Sequence, residues 1–206
     1  MDVLGDRVKT AVAFGFLVCS LVAVPDGAGT TAIDQALQQP IIEGQAAAGI
    51  RLGDSESAAI NRLGALPFKT DQSLDGSRRD LIYVIAPPSR EWGVLMRLTF
   101  TLRQAGVEMI HLTVVRQAGV ALPYTGRTSK GYQPGEPKDR LRILYGPPDE
   151  VITIPPGTAE FWWYKGVGLV VSPGEQTIGD ERQARLIVVK PHLSLAEVRE
   201  LVLGAR

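Results

Sequence analysis

A single cysteine and two histidines stand among the 206 residues. One cysteine cannot staple a small secreted domain, and so few thiol and imidazole groups do not furnish a built-in zinc or iron–sulfur site. Net charge is missing as well: 22 Lys and Arg balance 22 Asp and Glu, a formal net charge of +0. That removes the basic footprint of a general nucleic-acid binder. Aromatics make up only 6% of the chain, so any cluster of them is informative. What is present, 45% hydrophobic and 21% charged residues, is ordinary globular material. It suffices for one domain, or for two small ones sharing a core.

The longest uncharged apolar run is AVAFGFLVCSLVAV, the 14 residues 11–24, with Arg7 and Lys9 ahead of it and Asp2 and Asp6 diluting that basic start. As a helix it reaches ~21 Å, short of a ~30 Å hydrocarbon core. Followed by PDGAGTTA, it reads as the apolar region of a signal peptide, which implies an exported, periplasmic or extracellular protein. Thr30 and Ala32 offer a small-x-small cleavage site, and a second lies near Ala23. Cys19 is preceded by bulky Val18, where a lipoprotein signal carries Gly, Ala or Ser, so lipidation is not expected. The alternative is an N-terminus retained as a buried helix or an anchor.

From about residue 46 the chain echoes itself. Gly49, Gly53 and Gly64 recur as Gly131, Gly135 and Gly146, each displaced by 82 positions. Both intervals read as a short helix bracketed by turns. In the first, Asp54 or Ser55 caps the helix, Ala58, Ala59, Ile60 and Leu63 supply the apolar stripe, and Pro67 follows. In the second, Pro137 suits the first helical position, and Leu141, Leu144 and Tyr145 form the stripe. Gly64 and Gly146 are expected to close the helices in the left-handed conformation. These glycines punctuate helices, with no phosphate-binding loop among them.

Strands follow each helix. Residues 80–86, 94–102 and 107–115 are expected after the first, with Gln104, Ala105 and Gly106 as a hairpin turn. Val94, Met96, Leu98, Phe100 and Leu102 alternate with Arg97, Thr99, Thr101 and Arg103, which predicts an antiparallel sheet with one buried and one water-facing side. After the second helix come 160–165, 168–172 and 183–190, with a short extra strand at 151–154 and a polar loop at 173–182. Ser194-Leu195-Ala196-Glu197 is a capping box that opens a C-terminal helix. The resulting plan is a signal peptide at 1–32, an N-terminal segment at 33–48, a first unit at 49–117 and a linker at 118–130. A second unit at 131–191 and the helix at 192–206 complete it. The expected fold is α+β: two tandem units of short helix plus antiparallel three- to four-stranded sheet, merged into one curved sheet with helices on one side.

The frame G-x3-G-[DE]-[SP]…L-G-x-P, followed by a strand with aromatics and Tyr83 or Tyr164 and then by paired strands, resembles the β-lactamase-inhibitor-protein-like repeat. The same unit occurs singly in the SmpA/OmlA family of outer-membrane assembly lipoproteins. The likeness spans roughly residues 46–191. It implies two units sharing a continuous sheet and an exported, non-catalytic module that grips a partner on its open face. The chain departs from the lipoproteins in having two units and a poor lipidation site, and from the inhibitors in lacking disulfides. Neither family's specific partner transfers, and no individual binding residue does.

Catalytic parts are scarce. His111 falls mid-strand on the water-facing side and His192 in a turn, neither with a carboxylate or cysteine at ligand spacing. No G-x-S-x-G elbow is present. Asp149-Glu150 and Asp180-Glu181 read as solvated turn residues rather than an acid–base pair. No cofactor, metal or catalytic residue is therefore expected; an envelope hydrolase would need His111 beside a carboxylate in a pocket.

The unusual segment is Phe161-Trp162-Trp163-Tyr164. On a strand Phe161 and Trp163 share one face and Trp162 and Tyr164 the other. One pair belongs to the helix-covered core. The other lies either on the open face, as a binding hot spot, or under the C-terminal helix or N-terminal segment. The candidate partner-binding face is Trp162 and Tyr164 with Arg97, Arg103, His111 and Arg185. Such a face suits an acidic loop of a protein, a glycan or a lipid headgroup, although scattered solvated arginines explain it as well. The leading expectation is a protein–protein interaction module whose partner is another exported or envelope protein. The alternative is a structural or assembly factor of the envelope anchored by its N-terminus.

Overall fold

The computed structural model describes residues 31–85, 96–115, 124–154, 159–173, 176–178 and 181–203. The expected export segment through residue 30, the linker residues 118–123, and residues 86, 94 and 95 of two expected strands lie outside the described residues. Asp180 does too.

Caps delimit the helices. Thr31 and Asp34 form a capping box that opens α1 (Ala32–Leu37). This helix belongs to the segment for which the sequence offered no element. A two-strand turn follows, β1 (Ala46–Ala47) on β2 (Ile50–Arg51). Helix α2 (Glu56–Leu63) starts at Ser55, whose Oγ accepts from Ala58 N at 3.2 Å, and ends at Gly64 in the left-handed region, φ 64° and ψ 15°. Four strands come next: β3 (Lys69–Gln72), β4 (Arg79–Ile85), β5 (Met96–Arg103) and β6 (Gly106–Val115). Helix α3 (Lys138–Tyr145) has Pro137 at its cap rather than inside its first turn. Its closing Gly146 takes φ 79° with an extended ψ of −164°, so the chain leaves this helix straight instead of curling back as it does at Gly64. Five more strands, β7 (Glu150–Ile154), β8 (Ala159–Tyr164), β9 (Leu169–Val171), β10 (Gln176–Ile178) and β11 (Glu181–Val189), precede α4 (Leu195–Leu203). Part of the expected 173–182 loop is thus strand, because residues 176–178 fold back on the start of β11.

Among the described residues the main sheet is antiparallel, in the order β3-β4-β5-β6-β11-β9-β8-β7, with β10 also on β11. The protein is α+β, as expected. Its middle is the pairing of β6 with β11, seven residue pairs from Gln183–Val115 to Val189–Met109. Gly106 turns the β5–β6 hairpin at φ 101°; a Cβ there would stand 2.6 Å from the carbonyl oxygens of Gly53 and Asp54. The contact is close because Gly53 N donates to Val107 O and Val107 N to Asp54 O, which ties the turn before α2 to the sheet.

Alternation along the strands sorts side chains into two cores. One holds Leu81, Tyr83, Leu98, Phe100, Leu112, Leu186 and Trp162 beneath Leu37 of α1, Ala59 and Leu63 of α2 and Leu141 of α3. The other gathers Met109, Ile152, Phe161, Trp163, Val170, Ile187 and Val189 beneath Val198, Leu201 and Val202 of α4. Helices therefore cover both faces, which corrects the expectation of helices on one side. The reason is chemical: β8, β9 and β11 carry large apolar residues on the second face as well, and only another apolar surface keeps them from water. Helix α4 is held by its Ser194–Glu197 box and by the Arg103–Glu200 ion pair.

Candidate binding face

Trp162 and Tyr164 do not lie on an open face. Trp162 is 3% exposed and packs in the core under α3. Its Nε1 donates to Glu160 at 3.2 Å, while Lys138 Nζ and Arg142 Cζ lie 4.8 and 5.5 Å from its ring centroid. Tyr164 packs against Tyr145 with the rings tilted by 46° and their centroids 5.3 Å apart, and it donates its hydroxyl to Gly146 O at 3.3 Å. Burial is the main cause that pushes the Tyr164 phenol up to about 12. The second pair is no more available. Phe161 and Trp163 are capped by α4, so both sides of β8 are sealed.

The remaining four expected residues do share the second face, but not one site. Arg103 sits at the hairpin end of β5, ion-paired with Glu108 at 3.5 Å and with Glu200. Its task is to fasten α4. Arg97 and Arg185 flank Thr113 directly, on β5 and β11. His111 lies one row further, between Thr99 and Ile187, with Nε2 3.1 Å from Thr113 Oγ1. It is 9% exposed, not water-facing as expected. Burial, then repulsion from Arg185 and Arg97, pushes its pKa down to about 3, so the imidazole is neutral. Arg185 spends two donors on Gln183 Oε1, at 3.3 and 2.9 Å.

One half of this face stays open. Beside Arg97, over β3, β4 and β5, runs a trough of about 610 Å³. Its floor is Ile82, Val84 and Thr99, its wall is Phe68, and Arg97 stands at its edge. Phe68 is 68% exposed. The other charges here cancel in place. Arg78 and Asp80 pair at 3.0 Å with Thr101 Oγ1 donating to Asp80 at 2.6 Å, and Lys69 meets Asp71 at 2.7 Å. Among the described residues the Arg97 guanidinium has no ion pair or hydrogen bond, so it gives the trough a local positive end. The sequence reading missed Phe68, Ile82 and Val84. A signal for the last two existed: Leu81, Ile82, Tyr83 and Val84 are apolar on both faces of β4, and only Leu81 and Tyr83 go into the first core.

Among the described residues no group of three or more His, Cys, Asp or Glu side chains could hold a metal ion, and no helix is long and apolar enough to cross a membrane. Asp149 is occupied structurally, its carboxylate accepting from Lys165 N at 2.6 Å. No protein family, curated protein or solved structure matches the chain.

Proposed function

We propose that the protein is an exported, non-catalytic interaction module that docks a partner protein in the trough over β3, β4 and β5. One observation carries the reading. The second face of the sheet is closed by α4 on the side of β8 and β9, and left open where Phe68, Ile82, Val84 and Arg97 line a hollow. Aromatic side chains and arginine are enriched at protein–protein interfaces relative to the rest of the surface. A preformed sheet lowers the ordering cost of binding.

Two supports concern organisation. Tandem units are favoured by paired details 81 positions apart. Tyr83 Oη donates to Ala65 O at 3.2 Å and Tyr164 Oη to Gly146 O at 3.3 Å, each tyrosine on the strand next to a sheet edge and each fastening the end of a preceding helix. Export rests on the apolar run at 11–24. Of the two candidate cleavage points, the one near Ala23 keeps Thr31 with the helix that it caps.

Crosslinking capture from the native envelope fraction tests the reading, with Phe68→Ala/Arg97→Ala as the control bait. Both side chains are exposed, so the variant should keep its stability within about 0.5 kcal/mol. A partner held by the native protein and lost by the variant supports trough docking. Equal capture by both moves the site elsewhere, and no specific partner overturns the module itself.

A further inference from the structure

The sheet ends in two unlike strands. β3, at one end, is Lys-Thr-Asp-Gln, with Lys69 and Asp71 paired across its exposed surface. A short edge bearing charges of both signs is blunted against pairing. β7, at the other end, is Glu-Val-Ile-Thr-Ile, in which four consecutive residues are β-branched. Such residues favour extended pairing. Val151 is 46% exposed, the one exposed large hydrophobic residue that lies within a strand of this sheet among the described residues. β7 pairs with β8 along one side only, and no described strand meets its outer rim. That rim presents backbone N–H and C=O groups in the spacing that another extended chain matches.

We propose that β7 is a self-association edge, pairing antiparallel with β7 of a second copy of this chain. The proposal is independent of trough docking. A two-fold axis at Ile152 sets Ile152 against Ile152 and Val151 against Thr153. Glu150 then falls opposite Ile154, and the two Glu150 residues stand at opposite ends of the ladder, roughly 13 Å apart at the rise of an extended strand. At that distance ordinary salt screens their repulsion. A strand with two like charges that met across the axis would reject its own copy; this one does not. Pairing of like edges also closes after two copies. Pairing of β7 with β3 would be open-ended and would set Lys69 and Asp71 against the β-branched row. One pairable edge and one blunted edge thus suit a dimer and oppose a filament.

Sedimentation equilibrium of the full chain over the micromolar range, with Val151→Lys/Thr153→Lys as comparison, tests this. Both positions are exposed, and lysines on an edge strand block pairing without entering the core. Thermal unfolding of the double variant checks that it folds. The expected result is a two-copy mass for the native chain and a one-copy mass for a folded variant. The amides of β7 that point away from β8, every second one along the strand, should also exchange more slowly with hydrogen isotope as concentration rises. A one-copy native mass throughout the range overturns the proposal and leaves β7 to a foreign strand, and a two-copy mass retained by the variant overturns it equally. Should the double variant fail to fold, Val151→Lys alone is read by the same two outcomes.

Discussion

Trp162 and Trp163 are adjacent in β8 yet belong to different cores: Trp162 lies beneath α3 and Trp163 beneath α4, with 3% and 2% of their surfaces exposed. The pleat of a strand sends neighbours to opposite sides, and here both sides are closed. Replacing either by Ala should cost about 3–5 kcal/mol in urea unfolding, the range for a large buried aromatic. Phe separates them further. Among the described residues Trp163 Nε1 is buried without a hydrogen-bond partner, so Trp163→Phe gives up no bond seen there. Trp162→Phe loses the bond to Glu160, and should be the more costly of the two. A reversed order would mean that the indole of Trp163 has a partner in solution.

Helix α4 is the seal of the second core. Val198 is completely buried against the sheet. Val198→Asp puts a charge into that core, and the helix should detach and leave Phe161 and Trp163 to water. An increase in binding of a hydrophobic dye, together with a red-shifted tryptophan emission, is the expected reading. Ser194→Ala is the mild companion. It removes the cap hydroxyl and should lower stability by about 1 kcal/mol with no change in dye binding.

His111 makes stability depend on mild acid. Its folded-state pKa lies well below the free value, at about 3 against 6.5. The unfolded chain therefore takes up a proton that the folded chain refuses. Stability contributed by the neutral imidazole is present above pH 6.5 and falls as pH drops toward 3, by up to about 1.4 kcal/mol per pH unit. Unfolding curves between pH 7 and 4 should show that slope, and His111→Gln should flatten it. An unchanged slope in the variant would assign the acid sensitivity to other groups.

Glu43 acts in a more acidic window. Burial works to raise its pKa, but hydrogen bonds from Tyr145 and from the Ser129 side chain and backbone outweigh it and hold the carboxyl below its ordinary value. A depressed carboxylate contributes stability above the unfolded pKa and loses it as pH falls through the folded one. This contact clasps the N-terminal segment to α3, with Lys130 Nζ 4.7 Å above the Tyr145 ring. Tyr145→Phe should reduce stability at neutral pH by about 1–2 kcal/mol and by progressively less as acid protonates Glu43, as read by chemical denaturation along a descending pH series.

Much of the fold was legible because its signals are local. Ser55 and Gly64 bracket α2, the Ser194–Glu197 box opens α4, and the alternation of Leu98, Phe100 and Leu102 with Arg97, Thr99 and Thr101 gives β5 its two faces. β3 was not legible, since Lys-Thr-Asp-Gln carries no apolar alternation and is strand only because β4 offers it an edge. The site was half legible. Sequence pairs Trp162 with Tyr164 but cannot say which helix lands on which side: the pair expected on the open face lies beneath α3, and α4 covers Phe161 and Trp163 instead. His111, Thr99 and Thr113 read as water-facing because they are polar, yet they are buried among their cross-strand neighbours. The Arg97–Thr113–Arg185 row depends on a register between segments some seventy residues apart, and no local pattern encodes that.

The seam between β6 and β11 also governs when the sheet can be completed. β6 spans residues 106–115 and is apolar on one face through most of its length, while its partner β11 starts only at residue 181. During synthesis β3 to β6 can form while the long rim of β6 stays bare until more than sixty further residues have emerged. Distant pairings of this kind are reached late and leave a strand edge open to wrong partners meanwhile. A ribosome that stalls before residue 181 would release a chain with that rim uncovered, more prone to aggregate than one that stalls before β4.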